Sequence, residues 1–487
     1  MMRPVSTVGG LDLHVELSPT RPARSLAAAL RAAILDGRLA PQTRLPPARS
    51  LAADLGISRN TVADVYAQLA AEGWLEARVG AGTWVSSHVP AAASGAAPPA
   101  RTARRWIDLR GGIPDPTAFP RREWLAAVRQ VTQHAPATDF GYPDPAGTPR
   151  LRAALAGYLA RTRGVVATPD AILVGQGFGE LLVLVCRALR ARGARRIAVE
   201  AYGHADHRQL AESTGLEVVA IGVDDDGVDV DAVESVGVDA VLLTPAHQFP
   251  IGVPLAAHRR RSLVAWAQRS GGVVLEDDYD GEFRYDRRMI GALQALAADR
   301  VVYLGTASKA VAPAVGLAWA VLPDWLRPAA LEQRLLAGGQ PSALHQLAIA
   351  EFINSHEYDR SVRRYRGIYR TRRTRLVEAV ADRLPGCAVT GLAAGLQCLL
   401  RLPPGTDEQR VEQAAQRRGL RLAGLDSYRA AGAAGVDWPA LVVGYGGPTP
   451  GQYERALRLL VDSIREALDA SPAEAVGVEP SGKAHRP

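Results

Sequence analysis

Two segments of the sequence hold side chains that suit covalent chemistry. The first is GGVVLEDDYDGEFRY, an apolar run that ends in carboxylates at residues 276–278 and continues into Tyr279. The second is VYLGTASKAVAP, in which Lys309 follows another apolar run. Lys309 and Lys483 are the two lysines among 57 basic residues. Because an amine forms a Schiff base with a carbonyl compound and a guanidinium does not, Lys309 is the candidate reactive group.

An acidic strand upstream of a reactive amine favours pyridoxal 5′-phosphate (PLP) as the cofactor. A carboxylate at the end of a strand can keep a pyridinium nitrogen protonated, which makes the ring an electron sink, and a nearby phenol can bond the ring oxygen. A lysine after a strand is, taken alone, as often a solvated surface residue as a reactive one. The scarcity of lysine and the acidic strand favour the reactive role for Lys309. We therefore expect PLP and no metal.

The region around both motifs alternates short apolar strands with amphipathic helices. Strands are expected at residues 172–174, 197–199, 241–243, 273–275 and 301–304. This alternation predicts an α/β fold with a mostly parallel sheet and helices on both faces, where ligands bind beyond the carboxyl ends of the strands. From about Ala343, one long arginine-rich helix is expected to lead to a smaller α/β unit that contains residues 396–400 and 441–445.

The N-terminal segment has the pattern of a winged helix-turn-helix. Apolar residues at helical spacing predict a first helix, and two further helices are expected at 48–55 and 58–70, with a turn at Gly56. Two strands of a hairpin follow at 74–77 and 82–85. The alternative is a three-helix packing module with a solvated polar face, but a wing at the expected distance favours DNA binding.

The candidate DNA contacts are short polar and arginine side chains at the start of the recognition helix and around it. Such groups read base edges and bind phosphates in a major groove. They are Arg44, Arg49, Ser58, Arg59, Asn60, Thr61, Arg78, Gly82 and Thr83.

Length and composition predict the domain organisation. With 487 residues, 47% of them apolar, and a formal net charge of +7, the chain can form two or three domains with a large core. We predict a DNA-binding domain at 17–87, a flexible Ala/Pro/Ser/Arg-rich linker at 88–106, an effector domain at 107–470 and a disordered tail at 471–487. The sequence shows neither a signal peptide nor a membrane-spanning run, which favours a cytoplasmic location. Its three scattered cysteines favour neither disulfides nor a metal site.

Together these motifs make the chain resemble a MocR-type regulator, the branch of the GntR superfamily whose effector domain is similar to class I aminotransferases of PLP fold type I. The resemblance spans about residues 17–468. Its motifs are SRNTV (58–62), AEG (71–73), GAGT (80–83), GYPDPAG (141–147), LRAALAGYL (151–159), RGV (163–165), TPAHQFPIG (244–252), DDY (277–279) and SK (308–309). On matching positions, it implies that Lys309 is the Schiff-base lysine, Asp277 the pyridinium partner and Tyr279 the ring-oxygen partner.

The resemblance also implies the remainder of the cofactor site and the assembly. The phosphate-cradling turn falls on Gly177, Phe178 and Gly179, where helix amides suit a phosphate. Hydroxyl donors are Thr306 and Ser308, and the motif at 244–252 adds His247 as a further cofactor-binding residue. The family implies a homodimer that binds a paired operator in double-stranded DNA.

The sequence departs from the family pattern at several positions. Gly316 stands where an arginine usually serves the phosphate, and the turn at 175–180 reads GQGFGE. Tyr202 and His204 replace the usual proline and tyrosine, which changes the wall near the cofactor. For His204, a ligand contact is one interpretation and a solvated loop residue is the expected one. Residues 440–445 offer no arginine for a substrate carboxylate, which argues against efficient transamination.

Three functions remain open from the sequence. The first is a regulator that senses PLP, or a PLP adduct with an amine or amino acid, through a ligand's different affinities for two protein states. The second is an active PLP-dependent aminotransferase with an appended DNA-binding domain. The third is a regulator whose effector domain no longer uses PLP.

Overall fold

The chain divides into two compact units, Met1–Ala103 and Arg104–Pro487. The structure, a computed structural model, describes residues 18, 20–78, 82–88, 106–285 and 290–469. Most of the expected linker at 88–106 and the expected tail at 471–487 lie outside the described residues, so both remain predictions.

The first unit is a three-helix bundle followed by a two-stranded antiparallel hairpin. Its elements are α1 (Pro22–Leu35), α2 (Ala48–Leu55), α3 (Arg59–Ala71), β1 (Leu75–Arg78) and β2 (Gly82–Val85). Buried residues at helical spacing, including Leu26, Leu30, Val62 and Leu69, form its core. Gly56 ends α2 in the left-handed conformation (φ 66°), which glycine adopts without strain. The expected winged helix-turn-helix is confirmed, with boundaries within a residue or two.

The second unit contains the remaining helices and strands. In chain order its described elements are β3 (Ile107–Asp108), α4 (Arg121–His134), α5 (Pro149–Arg163), β4 (Ile172–Gly175), α6 (Phe178–Ala191), β5 (Arg196–Glu200), α7 (Ala205–Glu212), β6 (Glu217–Ile221), β7 (Val223–Asp224), β8 (Gly227–Val228), α8 (Val230–Ser235), β9 (Ala240–Leu243), α9 (Ala257–Ser270), β10 (Val273–Asp277), β11 (Val301–Thr306), β12 (Ala318–Val321), α10 (Arg327–Ala337), α11 (Ala343–Asn354), α12 (Glu357–Arg383), β13 (Ala388–Thr390), β14 (Gln397–Arg401), α13 (Glu408–Arg417), β15 (Leu420–Arg421), β16 (Ala423–Gly424), β17 (Ala440–Gly444) and α14 (Pro450–Asp469).

The centre of this unit is a seven-stranded sheet in the order β4-β12-β11-β10-β9-β5-β6. β12 runs antiparallel to both of its neighbours, and the other described pairs are parallel. Along β10, Leu275 packs into the same cluster as α6, whereas Val274 packs into the cluster of α9. The sheet therefore has helices on both faces, and the expected mostly parallel α/β architecture is confirmed.

The C-terminal part differs from the sequence prediction in one respect. The single long helix expected from Ala343 is wrong, because α11 ends at Asn354 and α12 begins at Glu357. Between them, His356 has a left-handed backbone (φ 61°), which is incompatible with a continuous right-handed helix. α12 leads to a smaller four-stranded antiparallel sheet, ordered β13-β14-β17-β16.

Candidate cofactor site and DNA-binding surface

The two chemical motifs meet at one edge of the central sheet. β10 and β11 are parallel neighbours, with Asp277 opposite Leu304, so both strands end at the same edge. Asp277 is the last residue of β10, and Lys309 follows the end of β11 by three residues. This is the position at which open α/β sheets bind ligands.

A cavity of about 160 Å³ lies at this edge. Its wall includes six of the predicted cofactor residues, namely Phe178, Asp277, Tyr279, Thr306, Ser308 and Lys309. The Lys309 Nζ donates a hydrogen bond to the Gly112 carbonyl oxygen at 2.6 Å. The other three predicted residues do not line the wall. Gly177 and Gly179 flank Phe178 in the sequence, and His247 contacts Tyr279.

Asp277 presents a buried and unpaired carboxylate to the cavity. It is 7% exposed, and no residue that the structure describes donates a hydrogen bond to it. Burial raises the pKa of Asp277 well above its usual value, and the charges of Asp278 and Asp280 raise it further. Since buried carboxylates normally have partners, this group fits a ligand with a cationic or N–H donor.

Lys309 is set up to carry a neutral amine. Burial lowers the pKa of its ammonium group, while the charges of Asp277 and Asp280 oppose that shift. A lowered pKa increases the fraction of neutral amine, which is the nucleophilic form. The geometry therefore places a nucleophile and an unpaired carboxylate in the same cavity.

The Tyr279 hydroxyl is oriented by two side chains. Gln397 Nε2 donates to Tyr279 Oη at 2.7 Å, and His247 Nδ1 lies 3.3 Å from the same oxygen. His247 Nδ1 is also 2.8 Å from Asp280 Oδ2. His247, predicted to bind the cofactor, thus lies behind Tyr279 rather than in the cavity wall. No sequence signal pointed to Gln397.

The predicted phosphate turn lies at the start of α6. Gly177 is the N-cap, and no side chain caps the helix. The first-turn amides are therefore available to an anion. The carboxylate of Glu180 in this turn accepts from the Gln176 N–H at 2.6 Å and is paired with Arg334. Nearby, Thr306 Oγ1 donates to Ser308 Oγ at 3.0 Å, so two hydroxyls lie together.

Gly316 has a backbone reason to be glycine. It adopts φ 58° and ψ 54°, in the left-handed region, at the end of a short 3₁₀ helix. A non-glycine residue is uncommon in this conformation. The family's usual arginine would therefore be strained here, and any cationic group for an anion must come from elsewhere.

One wall of the cavity was predicted from the sequence only in part, through Tyr202 and His204. His204 was expected to be solvated, and this is wrong: its ring stacks on Phe249, with centroids 4.0 Å apart and planes at 13°. His207 and Arg208 on α7 also line the cavity. Burial lowers the pKa of His204 to about 4 and that of His207 to about 3. The sequence did offer a signal for this wall. His207 and Arg208 are three and four residues after His204, and residues at this spacing share a helix face.

A buried ion pair fixes the end of β10 on the side away from the cavity. Arg163 Nε donates to Asp278 Oδ2 at 2.6 Å, and both side chains are 1% exposed. Tyr303 donates to the same carboxylate at 2.8 Å. Because side chains alternate along a strand, Asp278 points to this pair while Asp277 points to the cavity.

In the first unit, the predicted recognition helix begins as expected. Ser58 caps α3 by accepting the Thr61 N–H at 3.0 Å, and the two hydroxyls are 2.8 Å apart. Arg59 and Asn60 are exposed in the first turn, and Arg49 is exposed on α2. Ser58 and Thr61 thus stabilise the start of the helix, while Arg59 and Asn60 are exposed and available to DNA.

The wing gathers the other predicted contacts around Trp84. The guanidinium carbons of Arg44 and Arg78 lie 5.5 and 4.9 Å from its ring centroid. Gly82 starts β2 with φ 119°, and the Thr83 carbonyl accepts from Leu45 N–H at 2.8 Å. The wing tip, residues 79–81, lies outside the described residues.

No helix in the described parts of the chain combines the length and apolar character needed to cross a bilayer. Within those same residues, no three His, Cys, Asp or Glu side chains are grouped as a metal site requires.

Each of the two units of the chain matches a known family. Residues 22–85 match "Bacterial regulatory proteins, gntR family", and residues 104–430 match "Aminotransferase class I and II". The second unit is also similar to LysN, the α-aminoadipate aminotransferase of Thermus thermophilus, with a TM-score of 0.67 and 22% identity over 75% of this chain and 94% of that one. It is similar, too, to the kynurenine aminotransferase of Pyrococcus horikoshii, with a TM-score of 0.67 and 23% identity over 74% of this chain and 91% of that one. These likenesses show the fold.

Relatives extend over nearly the whole chain. The HTH-type pyridoxine biosynthesis transcriptional regulator PdxR of Corynebacterium glutamicum is 32% identical over 467 residues, covering 94% of this chain and 99% of the relative. The probable rhizopine catabolism regulatory protein MocR of Rhizobium meliloti is 30% identical over 469 residues, covering 91% and 93%. With a GntR winged helix followed by an aminotransferase-like domain, the chain belongs to the MocR-type HTH transcriptional regulators.

Proposed function

We propose that this regulator binds PLP at Lys309 and responds to PLP, or to its adduct with an amine or amino acid, by changing its affinity for DNA. The observation that carries the proposal is the unpaired, buried carboxylate of Asp277 in the same cavity as the partly buried amine of Lys309. The name of the relative PdxR refers to pyridoxine biosynthesis, which supports a vitamer of this class.

The residues of the cavity fit each part of PLP. Lys309 offers the amine for the aldehyde, Asp277 the acceptor for the ring nitrogen and Tyr279 a donor for the ring oxygen. The start of α6, with the hydroxyls of Thr306 and Ser308, suits the phosphate. When bound, PLP supplies an aldehyde that reacts with amines and a ring that withdraws electrons.

The DNA-binding part of the proposal assigns contacts to the first unit. Arg59 and Asn60 would reach base edges, while Arg44, Arg49 and Arg78 would hold phosphates. Ligand binding alters transcription if PLP or its adduct has different affinities for two states of the regulator. A protein that acts on DNA in this way belongs in the cytoplasm.

We also propose that the regulator is a homodimer that binds a paired operator. Large apolar side chains are exposed on the second unit, among them Leu125, Phe140, Tyr142, Leu335 and Leu336. An exposed apolar patch marks an interface where such residues are contiguous, so these five are the residues at which to test for one. Light scattering after size-exclusion chromatography tests this part, and a monomeric mass would contradict it.

The decisive experiment measures where PLP attaches. Purified protein is mixed with PLP, reduced with borohydride and digested, and the pyridoxyl mass is located by mass spectrometry. We expect modification of Lys309 in the wild type and none at this site in Lys309→Ala. Lys483→Ala is the matched control, because it removes the other lysine. If the wild type shows no PLP absorption band and no modified peptide, the cofactor proposal is wrong and a regulator without PLP remains.

A second candidate, an active aminotransferase, is favoured by one observation. Lys309, Asp277 and Tyr279 all line the cavity, as the chemistry of such an enzyme requires. Against it, β17 (ALVVG) offers no arginine for a substrate carboxylate. Repeated turnover of an amino acid with a keto acid would establish the enzyme, whereas PLP binding without turnover favours the regulator.

A further inference from the structure

Arg208 is a cationic side chain in the cavity wall for which neither the sequence nor the family match assigns a role. It lies on α7, one helical turn after His204. Its Nη1 donates to the carbonyl oxygens of Gly203 and Tyr428 at 2.9 and 3.2 Å, and its Nη2 donates to that of Arg429 at 3.4 Å. Among the residues that the structure describes, no Asp or Glu forms an ion pair with it, and the charge of Glu212, one turn further along α7, acts on it only at longer range.

These contacts hold the guanidinium without neutralising it. An arginine has five N–H donors in a planar fork. The three hydrogen bonds leave two donors, including Nε–H, without a partner among the described residues. Burial lowers the pKa of Arg208, but an arginine remains charged in a protein. A planar cation with two free donors suits a carboxylate or a phosphate oxygen pair.

The charges in the cavity leave few alternatives for an anionic ligand. The amine of Lys309 is committed to the cofactor in the proposed function. His204 and His207 are neutral near pH 7, because burial lowers the pKa of each to about 4 and about 3. Of the described side chains in the wall, Arg208 is then the remaining cation. Gly316 and β17 supply none.

The position of Arg208 favours a carboxylate over the cofactor phosphate. His207 packs against Phe178 at the start of α6, with ring centroids 4.4 Å apart, so it faces the predicted phosphate end. The next residue on a helix is rotated by about 100°. Arg208 accordingly donates to the carbonyl oxygens of Tyr428 and Arg429, and none of its described hydrogen bonds is to α6.

We propose that Arg208 binds the carboxylate of an amino-acid ligand whose amine faces Lys309. This inference rests on the proposed function and narrows it, since an amine without a carboxylate would lack this contact. Arg208 would thus supply, from α7, the carboxylate-binding arginine that β17 does not offer.

Two stable probes isolate the contribution of the carboxylate. N-(5′-phosphopyridoxyl)-L-alanine and N-(5′-phosphopyridoxyl)ethylamine differ by that group alone, and neither needs attachment to Lys309. Binding of each probe, and of PLP, is measured by titration calorimetry on the full chain. The variants are Arg208→Gln and, as a matched control, Arg190→Gln, whose side chain bonds the Gly215 carbonyl oxygen outside the cavity.

We expect the wild type and Arg190→Gln to bind the alanine probe roughly 10- to 100-fold more tightly than the ethylamine probe, as a charged hydrogen bond implies. Arg208→Gln should bind both probes equally, with the affinity for the ethylamine probe unchanged. Equal affinities in the wild type would overturn the inference while leaving PLP binding intact. An equal loss for both probes in Arg208→Gln would assign Arg208 to the phosphate instead.

Two further observations keep the test decisive. Failure of the wild type to bind PLP and both probes would refute the proposed function itself. If Arg208→Gln does not fold, as judged by circular dichroism, Arg208→Lys replaces it. This variant keeps the charge but loses the fork, so the preference for the alanine probe should fall without disappearing. A preference in Arg208→Lys equal to that of the wild type would contradict the inference.

Discussion

The two arginines that stack on Trp84 give the DNA-binding proposal a quantitative form. Both guanidinium groups lie over the Trp84 indole, which brings Arg44 and Arg78 together at the wing. If each contacts one phosphate, each releases counterions from the DNA when the protein binds. Replacing both with glutamine should then make the negative slope of log Kobs against log salt less steep by about 0.9 for each lost contact.

The size of this change also depends on the number of winged helices on the DNA. One winged helix predicts a slope smaller by about 1.8 in the Arg44→Gln/Arg78→Gln variant, and a dimer predicts about 3.6. Between about 50 and about 200 mM salt, the wild type should lose about 12-fold more affinity than the variant in the first case, and about 150-fold more in the second.

Fluorescence anisotropy with a labelled duplex measures this slope. A duplex of arbitrary sequence is sufficient, because phosphate contacts do not depend on the bases. Arg38→Gln is the control, since Arg38 lies in the same unit, is bonded to Asp36 and is outside the predicted contacts. A slope in the double variant equal to that of the wild type would refute the phosphate contacts of the wing.

Three further predictions concern single side chains. Asp277→Asn should weaken PLP binding by roughly 10- to 100-fold, because the charged partner of the ring nitrogen is lost. Without PLP, the same variant should melt at a higher temperature than the wild type, because it removes an unpaired buried carboxylate; a lower melting temperature would contradict this assignment. Ser58→Ala should cost the α3 terminus about 1 kcal/mol, so hydrogen exchange at the Thr61 amide should speed up while exchange in α6 stays the same. Burial raises the pKa of Glu200 to about 7, although hydrogen bonds from Thr244 oppose the shift. The folded protein then binds more protons than the unfolded chain between the unfolded pKa of 4.5 and about 7, so stability should fall as pH rises through this window. Glu200→Gln should reduce the fall in melting temperature between about pH 5 and about pH 8, and an identical fall in both proteins would show that Glu200 ionises normally.

The architecture followed from local patterns, and the errors have physical causes. Alternating apolar strands and helices predict the α/β fold, because each pattern is set by which faces are buried. The antiparallel direction of β12 has no such signal, since a short apolar strand reads alike in both directions. The break at His356 depends on a left-handed backbone that any sequence-based rule assigns first to glycine or asparagine.

The candidate site was predictable where chemistry restricts residue type. Lys309 and Asp277 were found because few side chains can do what they do. Gln397 was not found, because its role comes from a contact with a residue distant in sequence, Tyr279. His204 was singled out, but its stacking on Phe249 could not be predicted, for the same reason. Arg208 was hidden among many arginines, so its residue type carried no information.

The two adjacent carboxylates at the end of β10 point to opposite sides because the strand is pleated. Asp278 is bonded to Arg163 and Tyr303, whereas Asp277 is left available at the cavity. A shift of one residue that moved Asp278 into the place of Asp277 would present the cavity with a different acid and bring Tyr279, in place of a carboxylate, to Arg163. If the regulator binds PLP as proposed, cofactor loading would therefore report on folding, because it would require that β10 has paired in the register that turns Asp277 to the cavity.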